Sequence, residues 1–383
     1  MRPFDRLRVT FLNQGPFNKP EGGKMIRKSG RSIKPLLCFS FLTLSALLFN
    51  SCGKNYSAFC READSYLEDS NFQGTVLVAR GKKVIYSKGF GPEDEKAKVS
   101  SDNSPDTVYE IGSITKQMTA AAIMQQVEKG KLSLDDTLEK FFPEYTYGSK
   151  ITVRMLLEMR SGLLDHINGP EEFFGNKLAR QISQKEMAGK TVSRDEVLNA
   201  LYKAPLLTTP DSTYFYSNTN YYLLALILEQ VTGMSYEDYM ADYVFKPAGM
   251  TSSNTNFQNT TARGYIKNKC YSIPKSLALG CGDVNSTAED LLKWNLAFTK
   301  GKIVSKKTFR LMTDSDSYGF GVYCTENSIL HSGATHGFNS YNEYFLKEKV
   351  SFIILSNKPQ SLLNTTTVAG KLKKFYFPDS KKV

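Results

Sequence analysis

Strand-forming and helix-forming patterns are segregated along this chain, and that limits the folds open to it. Thr75-Val76-Leu77-Val78-Ala79 and Val84-Ile85-Tyr86-Ser87 read as two strands joined by a Gly81-Lys82 turn. From about 115 to 300 the apolar residues recur at helical spacing. The segments end at turn residues: Leu138 to Phe142 before Pro143, Val153 to Met159 before Ser161-Gly162, Val197 to Tyr202 before Pro205, Tyr221 to Val231 before Gly233, and Tyr236 to Val244 before Pro247. Ala288 to Phe298 carries the single tryptophan, Trp294. Strand patterns return at Tyr318 to Tyr323, Ile329 to Ser332, Ser340 to Phe345 and Val350 to Leu355, and a last helix is expected over Leu362 to Phe377. The simplest packing is an α+β fold, in which a mostly antiparallel sheet is flanked by the first and last helices and a mainly helical lobe, about 128–284, is inserted into it. Ligand sites favour such junctions.

With 383 residues the chain can bury a large core. The net charge of +11 is concentrated at the start, where residues 1–51 hold nine basic and two acidic side chains. The remainder is close to balanced, which excludes a nucleic-acid footprint as the reading of the charge. Arg27, Lys28, Arg31 and Lys34 precede an apolar run from Pro35 to Phe49. At about 22 Å as a helix, that run is shorter than the roughly 30 Å hydrocarbon core, so it reads as a secretory signal over 25–51 rather than a membrane span. Cys52 follows directly. The junction resembles a bacterial lipoprotein signal, although Phe49 and Asn50 stand where leucine and a small residue are commoner. This implies lipidation at Cys52 and an anchored envelope protein, with plain secretion to the periplasm or exterior as the alternative. Residues 1–24 fit neither signal nor domain, so translation could begin at Met25. Residues 52–69 are expected to be a linker and 70–377 the main domain. Among the four cysteines after Cys52, namely Cys60, Cys270, Cys281 and Cys324, Cys270 and Cys281 form one candidate bridge, with four unpaired thiols as the alternative. The three histidines, His166, His331 and His336, have no metal-ligand spacing, and neither a metal nor a cofactor is expected.

The stretch that carries chemistry is Tyr109-Glu110-Ile111-Gly112-Ser113-Ile114-Thr115-Lys116-Gln117. Extended residues end at Gly112 and a helix begins after Ser113, so the serine sits where free backbone N–H groups favour developing negative charge. Lys116, three residues on, lies on the same helix face. A lysine held out of water has a depressed pKa and can take the serine proton. Ser-x-x-Lys alone is a weak pattern, and it also occurs at Ser51/Lys54 and Ser272/Lys275. Two further motifs supply partners. Tyr216-Ser217-Asn218 is the one Tyr-x-Asn in the chain and lies on a loop before a helix. A phenolate there could act as a base, and the asparagine could hold the lysine and a substrate carbonyl. His331-Ser332-Gly333-Ala334 ends a strand whose edge can offer N–H groups to an oxyanion, with Gly333 allowing close approach.

In this order and spacing, the three motifs resemble the serine β-lactamase and penicillin-binding-protein superfamily. The closest likeness is the branch of class C β-lactamases, D-stereospecific peptidases and family VIII-like carboxylesterases. Ser161-Gly162-Leu163, Pro247-Ala248-Gly249-Met250-Thr251, Ser286 to Leu291 and Gly337-Phe338 add to the likeness, which covers roughly 70–360. The resemblance implies Ser113 as the acylated nucleophile and Lys116 and Tyr216 as shared base and acid. Asn218 would position Lys116 and the substrate. The N–H groups of Ser113 and Ala334 would form the oxyanion hole, and Gln117 would stand behind the pocket. It further implies that His331 lines the pocket where β-lactamases commonly carry lysine. A neutral histidine there favours esters or peptide-like amides over substrates held by a carboxylate. The alternatives are a cell-wall D,D- or D-amino-acid peptidase, a weak β-lactamase, or a non-catalytic acyl-binding or sensor lipoprotein. Residues 168–200 are expected to shape the mouth of the pocket.

Overall fold

Alternation along the strands decides what covers each face of the main sheet. In β1 (Gly74–Arg80), Val76 and Val78 face one side and Leu77 and Ala79 the other, and all four are buried. The computed structural model describes residues 56–168, 193–255, 259–266, 269–270, 275–358 and 363–378. The extension 1–24, the signal 25–51, Cys52 and most of 168–200 lie outside the described residues. The strands that follow are β2 (Lys83–Phe90), β3 (Tyr109–Glu110), β4 (Tyr265–Ile266), β5 (Lys269–Cys270), β6 (Asn285–Ser286), β7 (Tyr323–Cys324), β8 (Ser328–Thr335), β9 (Phe338–Phe345) and β10 (Val350–Ser356). Six of them form one antiparallel sheet in the order β2-β1-β10-β9-β8-β7. β3 pairs with β6, and β4 with β5, outside it.

Two helices cover the Val76 face: α1 (Ser57–Asp69), through Phe59, Ala63 and Leu67, and the C-terminal helix Thr365–Tyr376, through Val368, Ala369 and Leu372. The opposite face packs on α2 (Thr115–Glu128) and on the helix Ala288–Thr299, where fully buried Trp294 stacks on Phe298 at 4.9 Å. The helices Val153–Leu157, Arg194–Tyr202, Asn218–Thr232 and Tyr236–Met240 share this second core, and Asn218–Thr232 packs against α2. The fold is the expected α+β arrangement of an antiparallel sheet flanked by helices.

Several local expectations are corrected. The described part of 52–69 is not a linker: α1 repeats buried residues every fourth position and packs on the sheet. Residues 318–323 contribute only the first residue of β7. Gly321 has φ +76°, and a Cβ on it would lie 2.4 Å from the Lys116 carbonyl oxygen, so the chain turns along α2 instead of extending. A helix not foreseen, Lys306–Thr313, begins at Ser305, whose hydroxyl accepts from the Thr308 N–H at 3.1 Å. Cys60, Cys270, Cys281 and Cys324 are free thiols, so the candidate Cys270–Cys281 bridge is not formed. Buried Cys281 instead donates to the carbonyls of Leu277 and Ala278. Among the described residues, no helix is long and apolar enough to cross a membrane.

Candidate active site

Ser113 sits in a tight turn, Gly112–Ile114, that runs straight into α2. Gly112 takes φ +51°, and a Cβ on it would lie 3.0 Å from the Ala334 nitrogen, so only glycine brings the turn this close to β8 without strain. The turn is pinned from both sides. Ser340 Oγ donates to the Ile111 carbonyl at 2.7 Å, and Ile111 N–H donates to the Val284 carbonyl at 3.1 Å. Gly333 lets β8 pass, since a Cβ there would meet the Ile111 oxygen at 2.1 Å. β7 pairs only with Ile329 and Leu330, so it leaves the outer edge of β8 open beside Ser113.

Lys116 is fully buried, and its Nζ has three partners: Ser113 Oγ at 2.9 Å, Asn218 Oδ1 at 2.7 Å and the Cys281 carbonyl at 2.6 Å. Two of these can only accept. A neutral amine has two N–H groups and one lone pair. Giving the N–H groups to Asn218 and Cys281 leaves the lone pair for the Ser113 hydroxyl. Burial pulls the Lys116 pKa down to about 8, against the raising effects of the Cys281 thiol, Asp165 and Asp283.

Tyr216 also hydrogen-bonds Ser113, and Lys116 Nζ lies 5.0 Å from the centre of its ring. Withdrawal from water pushes the Tyr216 hydroxyl well above the ordinary tyrosine range, chiefly by desolvation. That direction favours the neutral phenol in the free protein. His331 is brought to the same place. It is buried against Tyr216, Tyr318 and Tyr323. Its Nδ1 meets the Ser332 carbonyl at 2.6 Å and so carries the proton, while Nε2 takes the Tyr318 hydroxyl at 3.3 Å. Burial, with the Lys116 charge second, pushes it down to about 3, so the ring is neutral and both its nitrogens are engaged. Gln117 is turned to the core, where its Oε1 accepts from Trp294 Nε1 at 3.0 Å.

Two groups were not foreseen. The Cys281 carbonyl arrives on the turn before β6. Asp165, only 5% exposed, accepts both of its contacts with Asn218 from the Nδ2 amide, at 2.9 and 3.2 Å. Asp165 lies two residues after Ser161-Gly162-Leu163, and that stretch was its one available signal. His166 is structural, its ring nitrogens meeting Thr219 Oγ1 at 3.0 Å and the Leu277 carbonyl at 2.8 Å. Among the described residues, no three His, Cys, Asp or Glu side chains cluster to hold a metal.

The Beta-lactamase family model matches residues 61–369. A Bacillus subtilis (strain 168) chain named as penicillin-binding protein PbpX is 31% identical over 311 residues, covering 78% of this chain and 73% of that one. The octameric penicillin-binding protein homologue from Pyrococcus abyssi superposes with a TM-score of 0.69 at 26% identity, covering 83% of this chain and 77% of that one. The D-amino acid amidase from Ochrobactrum anthropi SV3 complexed with D-phenylalanine shares the fold, with a TM-score of 0.70 at 21% identity over 84% and 99% of the two chains. On this match and the three motifs gathered around Ser113, the chain belongs to the beta-lactamase family, within the serine β-lactamase and penicillin-binding-protein superfamily.

Proposed function

We propose that this protein is a serine hydrolase of the bacterial envelope that cleaves esters and uncharged peptide-like amides through an acyl-enzyme at Ser113. The observation that carries this is the partner set of Lys116, in which two obligate acceptors leave the amine lone pair to Ser113. Ser113 Oγ attacks the substrate carbonyl while its proton passes to Lys116 Nζ. The backbone N–H groups of Ser113 and Ala334 take the oxyanion. As the carbon–heteroatom bond breaks, the leaving alcohol or amine receives the Tyr216 hydroxyl proton, and the Lys116 ammonium, beside the Tyr216 ring, returns a proton to the phenolate oxygen. Water then repeats the path in reverse and releases the acid. Proton transfers of this kind contribute about 10²- to 10⁴-fold each.

The substrate preference rests on His331. Its ring is neutral and internally bonded, and so supplies no cation for a substrate carboxylate. The envelope location rests on the signal-like residues 25–51, with lipid at Cys52, and on relatives named as penicillin-binding proteins. A D-amino-acid peptidase or amidase is the second reading, favoured by the fold shared with the D-phenylalanine-bound amidase. The test compares the full chain with Ser113→Ala. Three acyl donors are used: a short-chain p-nitrophenyl ester, a D-amino acid amide and a chromogenic cephalosporin, with intact-mass detection of the adduct. Ser113-dependent turnover, fastest on the ester, is expected. Fastest turnover of the amide would select the second reading. A stable adduct without turnover would indicate an acyl-binding sensor, and no adduct with any donor would overturn the hydrolase.

A further inference from the structure

We propose that Asp165 is a positioning residue for acylation, acting through Asn218 on Lys116; this rests on the serine-hydrolase reading above. The Asn218 side chain lies between a cation and a carboxylate. Its Oδ1 accepts from Lys116 Nζ at 2.7 Å, and its Nδ2 donates to Asp165 Oδ2 at 2.9 Å and Oδ1 at 3.2 Å. Rotating the amide by half a turn would set NH₂ against the lysine and oxygen against the carboxylate. Asp165 therefore enforces the one orientation in which Asn218 presents an acceptor to Lys116.

Asp165 is itself held. Its Oδ1 accepts from the N–H groups of Ile167 at 2.8 Å and Asn168 at 3.1 Å. The loop that carries it is stitched to the start of the helix Asn218–Thr232. The Leu164 carbonyl accepts from Ser217 Oγ at 3.1 Å and Thr219 Oγ1 at 2.6 Å, and His166 N–H donates to Thr219 Oγ1 at 3.1 Å. The loop thus delivers a buried carboxylate to the far side of the residue that holds the base.

The charge acts as well as the geometry. The polar and titratable groups facing Lys116 are Ser113, Tyr216 and Tyr221, Asn218, Cys281, His166 and His331, with Asp165 and Asp283 as the carboxylates. Asp165 favours the ammonium. Neutralising it removes part of that support and lowers the pH at which the amine becomes available.

The test follows acylation of the full chain against pH, using whichever of the three acyl donors labels the wild type, for Asp165→Asn alone and with Asn218→Ala. For Asp165→Asn the plateau rate at high pH is expected to fall roughly tenfold to a hundredfold with KM within about twofold. The midpoint of the rising limb should move down by at least about half a pH unit. With Asn218→Ala already in place, Asp165→Asn should cost nothing further at the plateau. A plateau within twofold of wild type overturns the proposal. So does a lower plateau with an unmoved midpoint, which marks a purely structural role. If Asp165→Asn does not fold, Asp165→Ser, which keeps an acceptor and loses the charge, carries the same test, and failure of both to fold overturns the proposal. A wild type that no donor acylates overturns both this role and the hydrolase beneath it, whereas an acylated wild type with an indifferent variant overturns Asp165 alone.

Discussion

In the proposed mechanism the protonation of Lys116 governs the site. Its folded pKa of about 8 against an ordinary 10.5 means that burial of the ammonium opposes folding by about 3 kcal/mol below pH 8. That penalty fades as pH rises from 8 to 10.5, so this one group makes the fold more stable with rising pH across that window. In the proposed mechanism the reactive form is the amine, which is scarce at neutral pH. We expect kcat/KM to rise with pH and level off above about 8. No inflection should appear near 6.5, because His331, held near 3, stays neutral throughout. A rate that falls between pH 6 and 8 would contradict a lysine base. The identities of these residues were legible: Ser113, Lys116, Tyr216 and Asn218 stand at spacings that a helix and a loop convert into proximity. Their protonation was not, because it depends on burial. The neutral phenol favoured at Tyr216 and the neutral ring of His331 follow from the packing of Tyr318 and Tyr323 around them.

At the scale of elements, the turn Gly112–Ile114 and β8 depend on each other through two glycines. Gly112→Ala would place a side chain at φ +51° and against Ala334, costing about 1 kcal/mol for the left-handed backbone before any steric term. We expect a modest loss of thermal stability, a few degrees, but a fall in kcat/KM of more than tenfold, since Ser113 shifts relative to the edge of β8. Equal retention of activity and stability would show that the close approach is dispensable. The ion pair of buried Glu343 with half-buried Lys373, 2.9 Å apart, joins β9 to the C-terminal helix. Glu343 also accepts from Ser328 Oγ at 2.6 Å and Tyr341 Oη at 2.7 Å. Lys373→Met should destabilise by about 3 kcal/mol by leaving a buried carboxylate short of its cation, as read by denaturant midpoint. Most helices and strands could be located from periodicity. Those missed have identifiable reasons. In α1, the buried residues Phe59, Ala63 and Leu67 recur within a short, otherwise mixed segment, and Tyr318 to Tyr323 has strand composition but is bent at Gly321, which must clear α2.

For the molecule as a whole, the sheet was legible as a class but not as an order of strands. Adjacent hairpins follow from short turns, whereas the pairing of β1 with β10, Thr75 opposite Leu355, follows from nothing local. That pairing makes α1 and the C-terminal helix parts of one layer. Leu67→Ala, far from Ser113, is accordingly expected to lower stability by about 3 kcal/mol while leaving kcat/KM of the folded enzyme within twofold, as compared by denaturation and by assay. A neutral substitution would return α1 to the status of a tether. The β1–β10 register also sets the order of assembly. Closing a chain segment of about 280 residues costs on the order of 5 kcal/mol in loop entropy before either strand gains a partner. β1 and β2, although they emerge early, have only each other until the last strand arrives. A chain made from its N-terminus must therefore keep an incomplete apolar hairpin soluble for almost its entire synthesis, and a ribosome that stops short of β10 leaves that hairpin's inner edge exposed as a template for aggregation.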